Sequence, residues 1–118
     1  MRKLFLSIVA FLFFGNTIWG QSQYIWNDKT QHIYEEVTSL KIPEARKQIA
    51  IEKKINPNNL IFTLLESYAD FYELFLNEDL ATYKRFEPQF ENRIKLLEAG
   101  PKNSPYYLYS LGVLHYHK

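Results

Sequence analysis

The 118-residue sequence has no cysteine. This absence excludes disulfide frameworks, thiolate zinc sites, cysteine nucleophiles and the lipid anchors that bacteria attach to a cysteine. The sequence also lacks an excess of charge of either sign, because 14 Lys and Arg stand against 13 Asp and Glu and give a net charge of +1. Nucleic-acid binding depends on many cations that neutralise phosphates. The charge balance therefore argues against a nucleic-acid partner.

Glycine is scarce, and the motifs of catalysis and cofactor binding are missing as well. The chain has four isolated glycines, so it contains no glycine-rich phosphate loop. It has no serine nucleophile elbow, and it lacks the Glu-x-x-His pairs that a di-iron helical bundle requires. His115 and His117 would point about 200° apart on a helix, so they could not share a metal ion. We expect no enzyme activity, no cofactor and no metal.

A long apolar run occurs only at the amino terminus. A basic start at residues 1–3 precedes an apolar run over residues 4–15, and a short polar stretch then ends at Gly20. These are the three parts of a secretory signal peptide, and the run is shorter than the ~20 apolar residues of a typical membrane-spanning helix. We predict a signal peptide at residues 1–20, cleaved after Gly20, and a protein exported to the periplasm, the cell envelope or the extracellular space. An uncleaved anchor is the alternative.

The rest of the chain, residues 21–118, is predicted to be a single all-α domain that does not span a membrane. Only two glycines remain there, and the strand pattern of alternating apolar and polar residues is absent. Helical periodicity, capping residues and prolines predict where each helix begins and ends. The five predicted helices cover about 28–40, 43–55, 59–77, 79–99 and 105–118, with caps at Asn27 or Asp28, at Asn58 and at Ser104. Pro88 predicts a kink in the fourth helix, or its division into two.

The last predicted helix is apolar on almost every side. Its apolar residues are Tyr106, Tyr107, Leu108, Tyr109, Leu111, Val113, Leu114 and Tyr116. Such a helix needs neighbours on both flanks, and a large exposed apolar patch indicates a partner or a missing piece. We interpret the chain as the N-terminal part of a longer protein that continues beyond Lys118. The alternative is a complete small protein that pairs through this helix.

Two stretches share a pattern of proline terminators followed by large and small helical residues at fixed spacing. One is LEAGPKNSPYYLYSLGVLHYHK at residues 97–118, and the other runs from IPEARKQIAIEKKINPNN through LESYADFY. The residues of the pattern are Ala45, Pro57, Leu65, Tyr68, Ala69, Tyr72, Pro101, Leu108, Leu111 and Gly112. Together the stretches, about residues 43–118, resemble the tetratricopeptide repeat. In that family the prolines end repeats and the small residues let neighbouring helices pack closely.

The resemblance implies antiparallel helix hairpins stacked as the start of a solenoid, with further repeats beyond Lys118. Such arrays are interaction scaffolds whose curved inner face binds peptides or proteins. The pattern departs from the family in one spacing, because Pro57 and Pro101 are 44 residues apart, whereas the family repeat is about 34 residues long. Glu52 also occupies a position where the family prefers alanine. Another helical repeat or a plain helical bundle are the alternatives.

The resemblance also implies which residues line the inner face. Mapped from the small residues, they are Thr63, Glu66, Asp70, Glu73, Tyr106, Tyr109, Val113 and Tyr116. This set predicts a groove that is acidic and then aromatic, suited to a basic or extended peptide. The alternative interpretation is that the three acids are simply the solvated face of their helix.

Aromatic residues make up 17% of the chain and suggest a second function. Tyr24 and Trp26 follow the predicted cleavage point directly, and rings of this kind can stack on sugars or other small ligands. Most of the aromatics, however, lie on predicted core stripes, where they bury large areas. The sequence therefore favours an exported helical scaffold for a protein or peptide partner, with a small-ligand or glycan-binding module of the cell envelope as the alternative.

Overall fold

A computed structural model describes residues 21–118 of the protein. The predicted signal peptide, residues 1–20, lies outside the described residues. Within 21–118 the chain forms five α-helices and no strand, which confirms the all-α prediction. They are α1 (Asp28–Thr38), α2 (Ile42–Ile55), α3 (Ile61–Asn77), α4 (Leu80–Glu98) and α5 (Pro105–His117). None of these helices is both long enough and apolar enough to cross a membrane.

Two of the predicted helix starts form as the capping residues indicate. The Asn27 side chain accepts a hydrogen bond from the backbone N–H of Thr30 at 3.0 Å, and the Thr30 hydroxyl accepts one from the N–H of Asn27 at 2.8 Å. This reciprocal capping box satisfies N–H groups that have no partner inside α1. At α5, Ser104 accepts from the N–H of Tyr106 at 3.2 Å, and Pro105 occupies the first helical position.

The predicted start of α3 is wrong by two residues. The helix begins at Ile61, and the Asn59 side chain, not that of Asn58, accepts the N–H of Ile61 at 3.1 Å. The physical reason is that the backbone of Asn58 is engaged elsewhere, because its carbonyl accepts the N–H of Gln23 at 2.9 Å. The chain forms a turn over residues 57–60, in which the N–H of Asn59 donates to the carbonyl of Asn56 at 3.2 Å, before the helix starts.

The predicted division of α4 at Pro88 does not occur. The helix is assigned without a break from Leu80 to Glu98, with Pro88 inside it. Proline removes the hydrogen bond to the carbonyl four residues earlier. Pro88 is exposed, so water can reach this side of the helix and hydrate the freed carbonyl of Lys84.

The central helix of the domain is α3. It packs against α1 and α2, which precede it in the chain, and against α4 and α5, which follow it. The odd-numbered helices contact one another in sequence, α1 with α3 and α3 with α5. Each even-numbered helix packs against the two odd-numbered helices that flank it in the chain.

The core consists of two clusters that meet at α3. The first joins α1, α2 and α3 and contains Ile33, Val37, Ile42, Ala45, Ile49, Ile61, Phe62, Leu65 and Ala69. The second joins α3, α4 and α5 and contains Leu60, Leu64, Ile94, Leu97 and Leu114. Burying one large aliphatic or aromatic side chain contributes about 1.5–3 kcal/mol. Both sides of α3 therefore contribute to the stability of the domain.

Residues 21–26 form an N-terminal strap that lies across the start of α3. Its backbone is held at Gln23, which donates to the carbonyl of Asn58 at 2.9 Å and accepts from the N–H of Leu60 at 2.7 Å. The side-chain amide of Asn59 then pairs with both backbone groups of Ile25, at 3.0 and 2.8 Å. The strap is thus fixed by paired backbone groups, without belonging to a sheet.

A hydrogen bond of Tyr24 connects the strap to the carboxyl end of α4. Its hydroxyl donates to the carbonyl of Leu97 at 2.7 Å, and burial raises the pKa of Tyr24 to about 12. Its ring leaves no room for a side chain at Gly100, where an added Cβ would lie 2.5 Å from Leu60 and 2.8 Å from Tyr24. Gly100 is therefore required by this close approach.

Candidate functional site

The four predicted inner-face residues of α3 are buried or half-buried, and the three acids among them point toward α2 and α4. Thr63 and Asp70 are buried, with 5% and 1% of their surface exposed, and Glu66 and Glu73 are half-buried. The acidic stripe is therefore not an open groove. It is not a solvated helix face either, because Asp70 is buried and Glu66 and Glu73 are half-buried.

Asp70 is the centre of an ion-pair network. Its Oδ1 lies 2.8 Å from Nη1 of Arg46 on α2, and its Oδ2 lies 2.6 Å from Nη1 of Arg93 on α4. A buried carboxylate is tolerated only when it is paired and hydrogen-bonded. Here one guanidinium from each neighbouring helix meets that need.

The flanking acids extend the network along α3. Glu66 lies 2.7 Å from Nζ of Lys53 and 3.7 Å from Nε of Arg93. Glu73 is paired with Arg46 and with Arg85, whose Nη2 lies 3.1 Å away. These carboxylates link α3 to α2 and α4, and a basic ligand would have to displace their present partners.

A different surface gathers the aromatic side chains of the odd-numbered helices. We call it the aromatic face, and its members are Trp26 of the strap, Tyr34 of α1, Tyr68 and Tyr72 of α3, and Tyr106 and Tyr109 of α5. Five of them are half-buried, and Tyr109 is 48% exposed. Each ring is therefore held by the core while part of it stays open to solvent.

Five of these rings form a continuous row. Trp26 stacks on Tyr106 with 5.8 Å between centroids and 13° between planes, and it meets Tyr34 edge to face at 5.7 Å. Tyr34 then meets Tyr68 edge to face at 5.5 Å, and Tyr68 stacks on Tyr72 at 6.5 Å. Contacts of this geometry contribute about 0.5–1.5 kcal/mol per pair beyond burial. The row is thus a rigid surface, assembled from the strap and three helices.

The polar atoms of the aromatic face are mainly phenol hydroxyls. The hydroxyl oxygens of Tyr68 and Tyr109 lie 2.9 Å apart, with one donating to the other. Burial raises the pKa of Tyr34 and of Tyr68, and the hydrogen bond with Tyr109 raises that of Tyr68 further. The Trp26 indole N–H donates to the side chain of Gln31 at 3.0 Å. The face therefore carries protonated, uncharged donors.

The predicted inner-face residues of α5 have different positions. Tyr106 and Tyr109 belong to the aromatic face, whereas Val113 packs against the second core cluster. Tyr116 is 78% exposed, with its ring 5.9 Å from that of Phe71. The sequence pattern does not assign Tyr34 to a site, and it predicts Tyr68 and Tyr72 as packing residues. The i, i+4 spacing of Tyr68 and Tyr72 was the available signal, because it places both rings on one side of α3.

The predicted repeat-packing residues differ in how deeply they are buried. Ala45, Leu65 and Ala69 are completely buried in the first cluster, Tyr68 and Tyr72 pack against it in part, and Leu111 packs against the second. Pro57 is exposed and Pro101 half-buried, each beyond the end of a helix.

Two further residues that the resemblance predicts to pack, Leu108 and Gly112, are exposed within the described residues. Leu108 is 76% exposed, and a Cβ added at Gly112 would have nothing within 4 Å. The buried residues of α5 are Ser110, Leu114 and His117.

His117 fixes the carboxyl end of α5 to α3. Its Nδ1 lies 2.8 Å from the hydroxyl of Ser67, and its ring stacks on Phe71 with 4.3 Å between centroids. Burial, with a smaller effect of Arg93, lowers the pKa of His117 to about 4. The residue is therefore a neutral core histidine at neutral pH.

No group of three or more His, Asp or Glu side chains within residues 21–118 is placed to hold a metal ion. In comparisons with known proteins, no family model matches the chain, and no curated protein or solved structure matches it. The tetratricopeptide resemblance therefore stays a prediction from sequence.

Proposed function

We propose that the protein is an exported helical-repeat scaffold that binds a segment of another protein, or a peptide, on its aromatic face. The observation that carries this proposal is the row of partly open Trp and Tyr rings contributed by the strap and three helices. Tyr and Trp are enriched at protein interfaces, where they supply large rigid contact areas with a polar tip. The proposed activity is binding, without catalysis and without a nucleic-acid partner.

The order of helix contacts supports the scaffold part of the proposal. In a stacked helical repeat, each unit contacts only its neighbours, and the first helices of successive units line one surface. The contacts of α1 with α3 and of α3 with α5 agree with such an order, and α2 and α4 then stand as the second helices. The aromatic face is formed by the first helices and the strap, although on α3 it uses Tyr68 and Tyr72 and not the inner-face positions that the resemblance assigns.

Export is proposed from the signal-like sequence at residues 1–20. Within the described residues, the first backbone hydrogen bond of the strap is formed by Gln23. Cleavage after Gly20 would therefore leave the strap's contacts intact. Trp26, the first residue of the aromatic face, would also remain in the chain after removal of the signal peptide.

Tryptophan fluorescence tests the proposal directly. The sequence has two tryptophans, so the full chain carrying Trp19→Phe reports on Trp26 alone, whether or not the leader is removed. We expect a saturable change of its emission with some members of a mixed peptide library and none with a panel of oligosaccharides. The reverse result would overturn the proposal in favour of a glycan-binding module.

Two matched variants locate the binding surface. Tyr109→Ala removes an exposed ring of the aromatic face, and Tyr83→Ala removes a half-buried ring of α4 that is not part of this face. We expect about tenfold weaker peptide binding in the first and unchanged binding in the second, since interface aromatics often carry a large share of the binding energy. Equal effects of the two variants would contradict the assignment of the site.

A further inference from the structure

The two ends of the helix row formed by α1, α3 and α5 differ in polarity. The exposed residues of α1 are all polar, namely Asp28, Lys29, Gln31, His32, Glu35 and Thr38. A polar outer face of this kind is what the terminal unit of a helical stack needs to remain soluble. The exposed residues of α5 are mainly apolar, namely Pro105, Leu108, Tyr109, Gly112, His115 and Tyr116. The α5 end of the row therefore has the composition of a surface that is covered.

The exposed residues of α5 form one stripe, which we call the α5 stripe, centred on Gly112. At about 100° per residue, all six lie within about 60° of Gly112 around the helix axis. Leu108 and Tyr116 are each four residues from Gly112, about 40° to either side, and are 76% and 78% exposed. A Cβ added at Gly112 would have nothing within 4 Å. The stripe thus has a flat centre with one large apolar side chain toward each end.

This arrangement is complementary to itself. If a second α5 crosses antiparallel at Gly112, Leu108 lies opposite Tyr116 of the partner subunit, and the reverse contact forms by symmetry. A two-fold interface brings the same patch of both copies together in this way. The missing side chain at Gly112 lets the two backbones approach closely. A copy of α5 therefore supplies the side chains that the stripe requires.

The charge of α5 also suits a contact between two copies. Near a two-fold axis, a charged side chain comes close to its own copy, and like charges repel. The helix from Pro105 to His117 contains no Asp, Glu, Lys or Arg. Lys118, which follows it, is paired with Glu91 of α4. The stripe therefore has no charge that would oppose self-association or select a charged partner.

The area of the stripe is sufficient for a weak dimer. Its exposed side chains offer roughly 500–600 Å² per copy, since one large aromatic side chain covers about 150–250 Å². A symmetric pair would bury about 1,000–1,200 Å², at the low end of specific interfaces. An interface of this size predicts a dissociation constant of about 1–100 μM.

We propose that the α5 stripe binds a second copy of this chain in an antiparallel two-fold contact centred on Gly112. This inference goes beyond the proposed function, because it assigns a second surface and a different partner. The contact covers the apolar end of the row and continues it into the row of the partner subunit. Of the aromatic face, only Tyr109 lies at the edge of the stripe.

Sedimentation equilibrium of the full chain, between about 1 and 500 μM, tests the proposal. We expect a reversible monomer–dimer equilibrium. Leu108→Glu places a charge in the apolar contact and should weaken the dimer about a hundredfold. Gln31→Glu adds the same charge at the polar end of the row and should leave the dimer unchanged. Both positions are exposed, and circular dichroism establishes that each variant is folded.

Cross-linking tests the antiparallel arrangement, and the absence of cysteine from the chain makes it specific. Leu108→Cys and Tyr116→Cys variants of different mass are mixed and mildly oxidised. In the proposed dimer these two positions face each other, whereas two copies of position 108 are about 12 Å apart along the helix axis. A disulfide needs Cβ atoms about 3.5–4.5 Å apart. We therefore expect the mixed disulfide to predominate over either symmetric one.

Three outcomes would overturn the proposal. One is a chain that stays monomeric up to about 500 μM, which would leave the stripe to a further helix or to another protein. The second is association that Leu108→Glu does not weaken, such as association through the apolar run at residues 4–15. The third is symmetric disulfides as abundant as the mixed one. The proposed function is tested separately, because peptide binding reported by Trp26 should persist in Leu108→Glu.

Discussion

Asp70 and Arg93 form an ion pair 2.6 Å long between α3 and α4, and Asp70 is 1% exposed. Replacing Asp70 by Ala leaves the guanidinium groups of Arg93 and Arg46 without their shared partner. Removing one member of a buried ion pair costs about 3–5 kcal/mol. We expect Asp70→Ala to lower the free energy of unfolding by this amount, measured by urea denaturation.

Glu98→Ala is the control for this prediction. Glu98 is exposed at the end of α4, and a substitution at such a position usually changes stability by less than about 0.5 kcal/mol. A comparable loss in the two variants would show that Asp70 is not the centre of the network.

The two glycines of the described chain should respond to alanine in opposite directions. Gly100→Ala places a Cβ 2.5 Å from Leu60 and 2.8 Å from Tyr24, and overpacking of this kind costs about 1–3 kcal/mol. Gly112→Ala meets nothing within 4 Å inside α5 and should stabilise by up to about 1 kcal/mol, because alanine favours helix over glycine. Thermal unfolding followed by circular dichroism measures both, and a stabilising Gly100→Ala would refute the close approach at the strap.

The domain should lose stability as the pH falls from 6.5 to about 4. Burial lowers the pKa of His117 in the folded state from 6.5 to about 4, so the unfolded chain binds more protons than the folded one in this window. Stability from this group is fully present above pH 6.5 and is lost as the pH falls toward 4, by up to about 3 kcal/mol. Urea denaturation at a series of pH values measures the slope.

His117→Gln isolates this contribution. The variant retains a polar side chain opposite Ser67 but has no group that titrates there, so its stability should depend less on pH between 4 and 6.5. His115→Gln is the matched control, since His115 is exposed, and it should keep the slope of the parent protein. Identical slopes in the His117 variant and the parent would contradict the role of His117.

The attachment of the strap to the start of α3 should depend on the side chain of Asn59 and not on that of Asn58. Asn59→Ala leaves the N–H and carbonyl of Ile25 without the side-chain partner that now holds them, at a cost of about 2 kcal/mol. Asn58→Ala keeps the only group of Asn58 that holds the strap, its backbone carbonyl, and should be close to neutral. Hydrogen exchange at Gln23 and Ile25 measures the difference, which should vanish if the strap is held elsewhere.

The sequence predicts the helices well because caps and prolines act locally. Asn27 and Ser104 cap the helices that their positions indicate. The start of α3 could not be predicted, since the choice of Asn59 over Asn58 depends on the strap, more than thirty residues earlier in the chain. The continuity of α4 through Pro88 depends on which side of the helix faces water, and this is decided by tertiary packing.

The candidate site was harder to predict for the same reason. Periodicity identifies Glu66, Asp70 and Glu73 as one stripe, but the cations that neutralise it come from α2 and α4. A single helix cannot show whether a polar stripe faces water or another helix. The aromatic face likewise combines residues from the strap and three helices, and no stretch of sequence contains more than two of its members at helical spacing.

The strap gives the protein a definite order of assembly. Tyr24 and Leu97 are separated by 73 positions along the chain, and Trp26 completes its stack only with Tyr106 of the last helix. In a chain that emerges with its amino terminus first, from a ribosome or an export channel, neither contact can close until nearly the whole domain has passed through. The aromatic face is therefore the last part of the described domain to form, and a partly emerged chain does not yet display it.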